Sequence, residues 1–447
     1  MINRAIKPEP TKEISFELPS IKEFKLANNL RVLFVQKNNL PIIQLSLISE
    51  AGSKFDPVDK KGLSYLCANL LDEGAGKYNA LELDEEFDLL GTSFSTSIDN
   101  DNVLLNLLTL EENFERSLEL FSDVISKPKF MNDDFIREQK KLLAKIIQSK
   151  SQPSSLANKA IDKVIYQDNP YSYPTSGLED DVKSITNDDI KLFYTNHYSP
   201  EKSCLVVVGT LGEEVLINKL NDSFSNWKTK SNSNLEIEIP NKTHTKIYII
   251  DKKESHQTEI RIGHISSQRK SPDYLAKVVM NTILGGQFSS RINLNLREDK
   301  GYTYGAHSGF AYNKLMSHFI VSTSVESKYT FNSIIEIMNE LKGIQISIED
   351  SEVEFAKSYL IKRFPAMFET YNNVSRNLIS LIIHDLPFTY YNDYIKNLTA
   401  VTKIDVEEAA RKNIFNDSLA IVLVGNEKLI RDQFKDSDFI VETIFLK

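Results

Sequence analysis

Thr186-Asn187-Asp188-Asp189, leading to Leu205-Val206-Val207-Val208-Gly209, describes a unit that this chain contains twice. The first four residues read as a helix N-cap with an acid at the third helical position, where side chains and backbone satisfy each other's free donors. A helix follows, then a Tyr198-Ser199-Pro200 break and the apolar strand. Downstream, Thr402-Lys403-Ile404-Asp405 opens a second such helix, which runs through Asn416-Asp417 into Leu419-Ala420-Ile421-Val422-Leu423-Val424-Gly425. From cap to glycine the distance is 23 residues in both copies, and the copies lie 216 residues apart in a chain of 447. A cap or a strand arises easily by chance, but the same spacing twice marks an internal duplication.

The unit beginnings agree with this. Arg31–Val35 and Ile247–Ile250 are β-rich runs, and each is followed by a second one, Ile43–Ile48 and Glu259–Gly263. A turn and a long helix come next, near Gly62–Leu71 and Pro272–Leu284. Further amphipathic helices are expected over Asn113–Ile125, Asp133–Ser149 and Tyr329–Leu341. Strands and helices do not alternate strictly enough for a doubly wound parallel sheet, so the expected class is α+β. The expectation is two homologous domains, each a mainly antiparallel sheet flanked by helices, over 1–228 and 244–447. The polar, aperiodic stretch 229–243 reads as the linker between them.

Composition narrows the function. A net charge of −9 and 26% charged residues argue against a phosphate-backbone partner, which demands a basic face. No apolar run approaches the ~20 residues that span a bilayer, and the N-terminus carries no secretory h-region, so a cytoplasmic protein without membrane association is expected. The two cysteines, Cys67 and Cys204, lie in apolar patterns and read as buried thiols rather than a disulfide framework.

A zinc hydrolase needs three ligands and a general base, and a helix presents two of those ligands when they are spaced i and i+4. The seven histidines are scattered, with no two within five residues, so a site of that kind is absent. Phosphate-binding loops and nucleophile elbows are also absent. Leu284-Gly285-Gly286-Gln287-Phe288-Ser289-Ser290-Arg291 has paired glycines without a P-loop ending, and reads as a helix stop and turn.

Taken in order, Asn28-Asn29-Leu30-Arg31-Val32, Ala51-Gly52-Ser53, Gln257 through Gly263, Asn281 through Gly286, and Leu296-Arg297-Glu298 through Gly301 and Tyr304 resemble the pitrilysin/insulinase family of inverted-zincin metallopeptidases. The similarity is strongest to the half-size branch that includes mitochondrial processing peptidase subunits and bacterial two-subunit peptidases. Active members carry His-x-x-Glu-His on the first motif helix and a further Glu ligand on a distal helix. The resemblance sets Tyr65 and Asn69 at the two His positions, Ala68 at the general base and Lys145 at the distal Glu. An ammonium there repels a divalent cation, so no metal is expected in this chain.

The second half departs less. Arg297 and Tyr304 match the family's arginine–tyrosine pair, which the resemblance assigns to substrate binding and oxyanion stabilisation. The competing reading has Arg297 complementing a helix C-terminus and Tyr304 packing in a strand. Ser95 and Thr96 match the edge-strand pair that holds substrate backbone. The resemblance therefore implies a non-catalytic subunit of a heterodimeric zinc peptidase. Zinc and an intact His-x-x-Glu-His would lie in a same-fold partner, and the substrate would be a peptide or unfolded polypeptide. The alternative is an inert structural subunit or a peptide-binding homodimer.

Overall fold

The computed structural model describes residues 18–228, 235, 237–240 and 244–446. Most of the stretch expected as a linker therefore lies outside the described residues. The strands are β1 (Ile21–Lys25), β2 (Arg31–Gln36), β3 (Ile42–Ser49), β4 (Ser93–Ile98), β5 (Val103–Leu110), β6 (Ser203–Gly209), β7 (Lys246–Asp251), β8 (Gln257–Ser266), β9 (Ala306–Tyr312), β10 (Ser317–Glu326), β11 (Ala420–Gly425) and β12 (Val441–Thr443). They form two six-stranded sheets, ordered β1-β2-β6-β3-β5-β4 and β12-β7-β11-β8-β10-β9.

Five strands repeat in the same order, as the duplication requires. β6 and β11 are the strands that end the repeated unit. β6 inserts between β2 and β3, and β11 between β7 and β8, each parallel to the first and antiparallel to the second. That central position explains their composition: every residue of β6 and β11 is buried, so both read as uninterrupted apolar runs. The sixth strand breaks the symmetry. β1 comes from the N-terminal end and pairs antiparallel with β2, whereas β12 comes from the C-terminal end and pairs parallel with β7.

Both predicted caps close as expected. The Thr186 and Thr402 hydroxyls accept from the backbone N–H of Asp189 and Asp405, whose carboxylates accept in return from the cap backbone. The motif helix in the first half is shorter than the pattern suggests, Leu63–Asn69, and its counterpart is Tyr274–Leu284. Gly62 starts the first of these at φ 104°, a left-handed value that favours glycine. Cys67 and Cys204 are both buried and free.

The halves exchange helices. Pro153–Tyr166, from the first half, packs on β8 and β11 of the second sheet, burying Ala157, Ala160, Ile161 and Ile165 against Val422 and Val424. Tyr371–Ile383, from the second half, packs on β3 and β6 of the first sheet. The tip of the β9–β10 hairpin adds a polar tie. Lys314 sets its Nζ 2.6 Å from Glu50 and donates its backbone N–H to Asp101 at 2.7 Å. Lys54 Nζ lies 3.0 Å from the same Asp101, and Tyr171 donates its hydroxyl to it at 2.5 Å. The surrounding ammonium groups hold Glu50 below the usual carboxylate range despite its burial. No helix among the described residues is long and apolar enough to cross a membrane.

Candidate functional site

The first-half motif helix is fixed from its N-terminal end. Asp56 accepts the backbone N–H of Gly62 and of Ser64 at 2.8 Å each, filling donors that a helix start leaves open. Burial pushes the Asp56 carboxyl up to about 6. So anchored, the helix packs against β4 and against the long helix Asn132–Ser151. Ala68, which the resemblance sets at the general-base position, is fully buried in the core, and its side chain offers no polar atom.

The three residues expected at the ligand positions meet at Tyr65. Lys145 Nζ lies 2.8 Å from the Tyr65 hydroxyl and 4.8 Å from the ring centre, so it engages the oxygen at the rim rather than the ring face. Asn69 donates its amide to the Tyr65 backbone carbonyl at 2.8 Å. An ammonium, a phenol and an amide do not make a zinc site, because none supplies the anionic or imidazole donor that the ion requires. No group of three or more His, Cys, Asp or Glu side chains among the described residues is arranged to hold a metal. Just past the helix, burial and Glu138 push the Glu73 carboxyl up to about 7.

Ser95 and Thr96 stand on β4, the outermost strand of the first sheet. β5 pairs with one side of β4, opposite Asn106 and Leu105, which leaves the other side's backbone groups unpaired in the sheet. The Thr96 hydroxyl is buried without a hydrogen-bond partner.

In the second half, Arg297 lies on a wide π-type turn, Leu294–Asp299. Its guanidinium rests 4.5 Å from the centre of the Phe288 ring, and its Nε is 3.3 Å from Glu298. Phe288 was not foreseen as a neighbour, since nothing in the pattern says that the turn after Gly286 folds back under the arginine. Gly301 follows at φ 66° and redirects the chain. Tyr302 then stacks on Tyr329 at 4.4 Å, and the Thr303 hydroxyl donates to the Ser324 carbonyl at 2.8 Å. Tyr304, between these anchors and β9, is 94% exposed. It does not pack in a strand, because β9 begins only at Ala306. An exposed tyrosine on a pinned loop keeps its hydroxyl free to donate to an incoming oxygen.

Arg297 and Tyr304 thus share one junction of the second half, whereas Ser95 and Thr96 belong to the other sheet.

Family models match along most of the chain: the insulinase family, peptidase M16, over residues 31–178, and the peptidase M16 inactive domain over 184–360. The chain is similar to an "Uncharacterized zinc protease YmxG" of Bacillus subtilis, 21% identical over 91% of this chain and 98% of that protein. It is similar to a "Non-peptidase homolog YmxG" of Helicobacter pylori, 20% identical over 89% and 92%. Mitochondrial-processing peptidase subunit beta of Saccharomyces cerevisiae is 19% identical over 93% and 94%. Among solved structures, a peptidase M16 inactive domain from Pseudomonas fluorescens superposes with a TM-score of 0.86 at 25% identity, covering 91% of this chain and 98% of that one. With its duplicated α+β fold and these matches along most of its length, the chain belongs to the insulinase (peptidase M16) family, in the inactive half-size branch.

Proposed function

We propose that this chain is the non-catalytic subunit of a heterodimeric zinc-dependent peptidase. One observation carries the reading: Tyr304 is almost fully exposed on a loop pinned at both sides, while Lys145 and Tyr65 close the ligand positions of the same chain. A donor held outward in this way has no use within the subunit. Facing a same-fold partner with an intact His-x-x-Glu-His motif, it gains one. The metal chemistry belongs to that partner. Tyr304 donates to the oxyanion that develops on the scissile carbonyl, and Arg297 orients the peptide with its planar set of donors. Ser95 and Thr96 mark a strand edge to which polypeptide backbone adds. The substrate class is peptides or unfolded segments, and the setting is the cytoplasm. The domain division is 1–228 and 244–447.

The test mixes the purified chain with a same-fold chain carrying His-x-x-Glu-His and follows cleavage of an unfolded peptide. Tyr304→Phe is expected to lower kcat by about 10²–10³-fold, the usual loss for one oxyanion donor, without moving the unfolding midpoint. Unaltered turnover by the variant overturns the role.

A further inference from the structure

We propose that the replaced ligand positions of the first half form a carboxylate-binding site, which takes an acidic side chain of a peptide strand added along β4. The polarity of the site follows from its members. Lys145 spends one ammonium proton on the Tyr65 oxygen at 2.8 Å, so the phenol proton is directed away from the lysine. That proton and the two remaining on Nζ are three donors at one place. Of the Asn69 amide, one donor is used on the Tyr65 carbonyl.

The neighbouring charges leave Lys145 unneutralised. On the same helix, Arg137 pairs with Glu73 and Asp134, and Lys141 pairs with Glu138 at 2.6 Å. Lys145 makes no ion pair among the described residues, and its side chain is exposed. Its counter-charge has to come from outside the chain.

The sheet supplies the direction from which it comes. Side chains of a strand alternate between faces, and on β4 Phe94 and Ile98 point to the helix-covered side, where they join the core that Tyr65 also touches. A strand added to the β4 edge keeps the same alternation. Every second side chain therefore projects towards the helices that carry Tyr65 and Lys145, and an Asp or Glu there meets the three donors. A basic side chain meets an ammonium. The inference shares with the proposed function only the β4 edge as a peptide platform, and needs neither a partner subunit nor hydrolysis.

The probe is a short fluorescein-labelled peptide of alternating valine and threonine with one central glutamate, blocked at both ends, titrated into the isolated chain by anisotropy. Replacing its glutamate by glutamine is expected to weaken binding by about tenfold, the value of one charge-assisted contact. Lys145→Met is expected to give the same loss, and Tyr65→Phe a smaller one. Lys145→Glu, a change at an exposed position, is expected to reverse the preference in favour of a peptide with a central lysine. A probe that does not bind, equal affinity for the glutamate and glutamine peptides, or an unreversed preference in Lys145→Glu overturns the site. Tighter binding only when the C-terminus is left unblocked assigns the donors to chain ends and overturns the side-chain assignment.

Discussion

The two halves started from one design and now differ most where that design places its chemistry. In the first half Ala68 is core, and Tyr65 accepts from both neighbours, its carbonyl from Asn69 and its hydroxyl from Lys145. In the second half the helix-to-strand junction remains open. Arg297 lies on Phe288 at the surface, and Tyr304 stands clear of the protein just after the anchored Tyr302 and Thr303. A site lost to drift alone would leave cavities and stray polar groups. Here Lys145 and Asn69 each make one hydrogen bond to Tyr65, while Tyr304 is held outward and not used internally. On the function proposed above, the contrast assigns the chemistry to the second half.

The sharpest way to break the contrast is to reverse it. The combined substitution Tyr65→His, Ala68→Glu, Asn69→His and Lys145→Glu restores three ligands and a base on helices that already touch. It is expected to take the purified chain from no measurable zinc to about one equivalent by elemental analysis. Failure to bind would show that the helices have moved out of ligand geometry. A smaller effect tests what holds the halves in register. Lys54→Met leaves Asp101, whose side chain is 3% exposed, without its buried ammonium partner. The expected loss is about 3–5 kcal/mol in denaturant unfolding, with Lys314 and Tyr171 moderating it. A change under ~1 kcal/mol would show that these two suffice.

The smallest effect is on acid stability. Burial holds His197 in the first half and His318 in the second down to about 4, so both fold uncharged. His197 lies between Phe55 and Phe193, and His318 is bonded to the Tyr166 hydroxyl at 2.6 Å through Nδ1. Their folded values lie below the unfolded one, so the stability they contribute is present above about pH 6.5. It is lost as pH falls towards about 4, with a slope of at most ~1.4 kcal/mol per pH unit per histidine. His197→Phe is expected to flatten that slope in thermal melts between these limits, and an unchanged slope would contradict the assignment.

Much of this was legible in the residues. The Thr186 and Thr402 caps announced themselves because a capping box is local, and β6 and β11 did so because a central strand is apolar along its whole length. The helix exchange was not legible. Amphipathicity tells that Pro153–Tyr166 buries a face, but not which sheet it covers. The direction of Tyr304 was also hidden, since Gly301 sets it through one left-handed torsion and the hydroxyl of Thr303 fixes it. The bond between Lys145 and Tyr65 joins residues 80 positions apart, and only the packing of two helices brings them together.

The crossing of Pro153–Tyr166 and Tyr371–Ile383 has a consequence for ancestry and engineering. A duplicated domain normally remains a self-sufficient module that can be shed, swapped or expressed by itself. Here each sheet relies on its twin for one helical cover, so excising either half would strip apolar strands bare. The duplication has become irreversible: what began as two modules is now a single folding unit, and selection acts on both halves together.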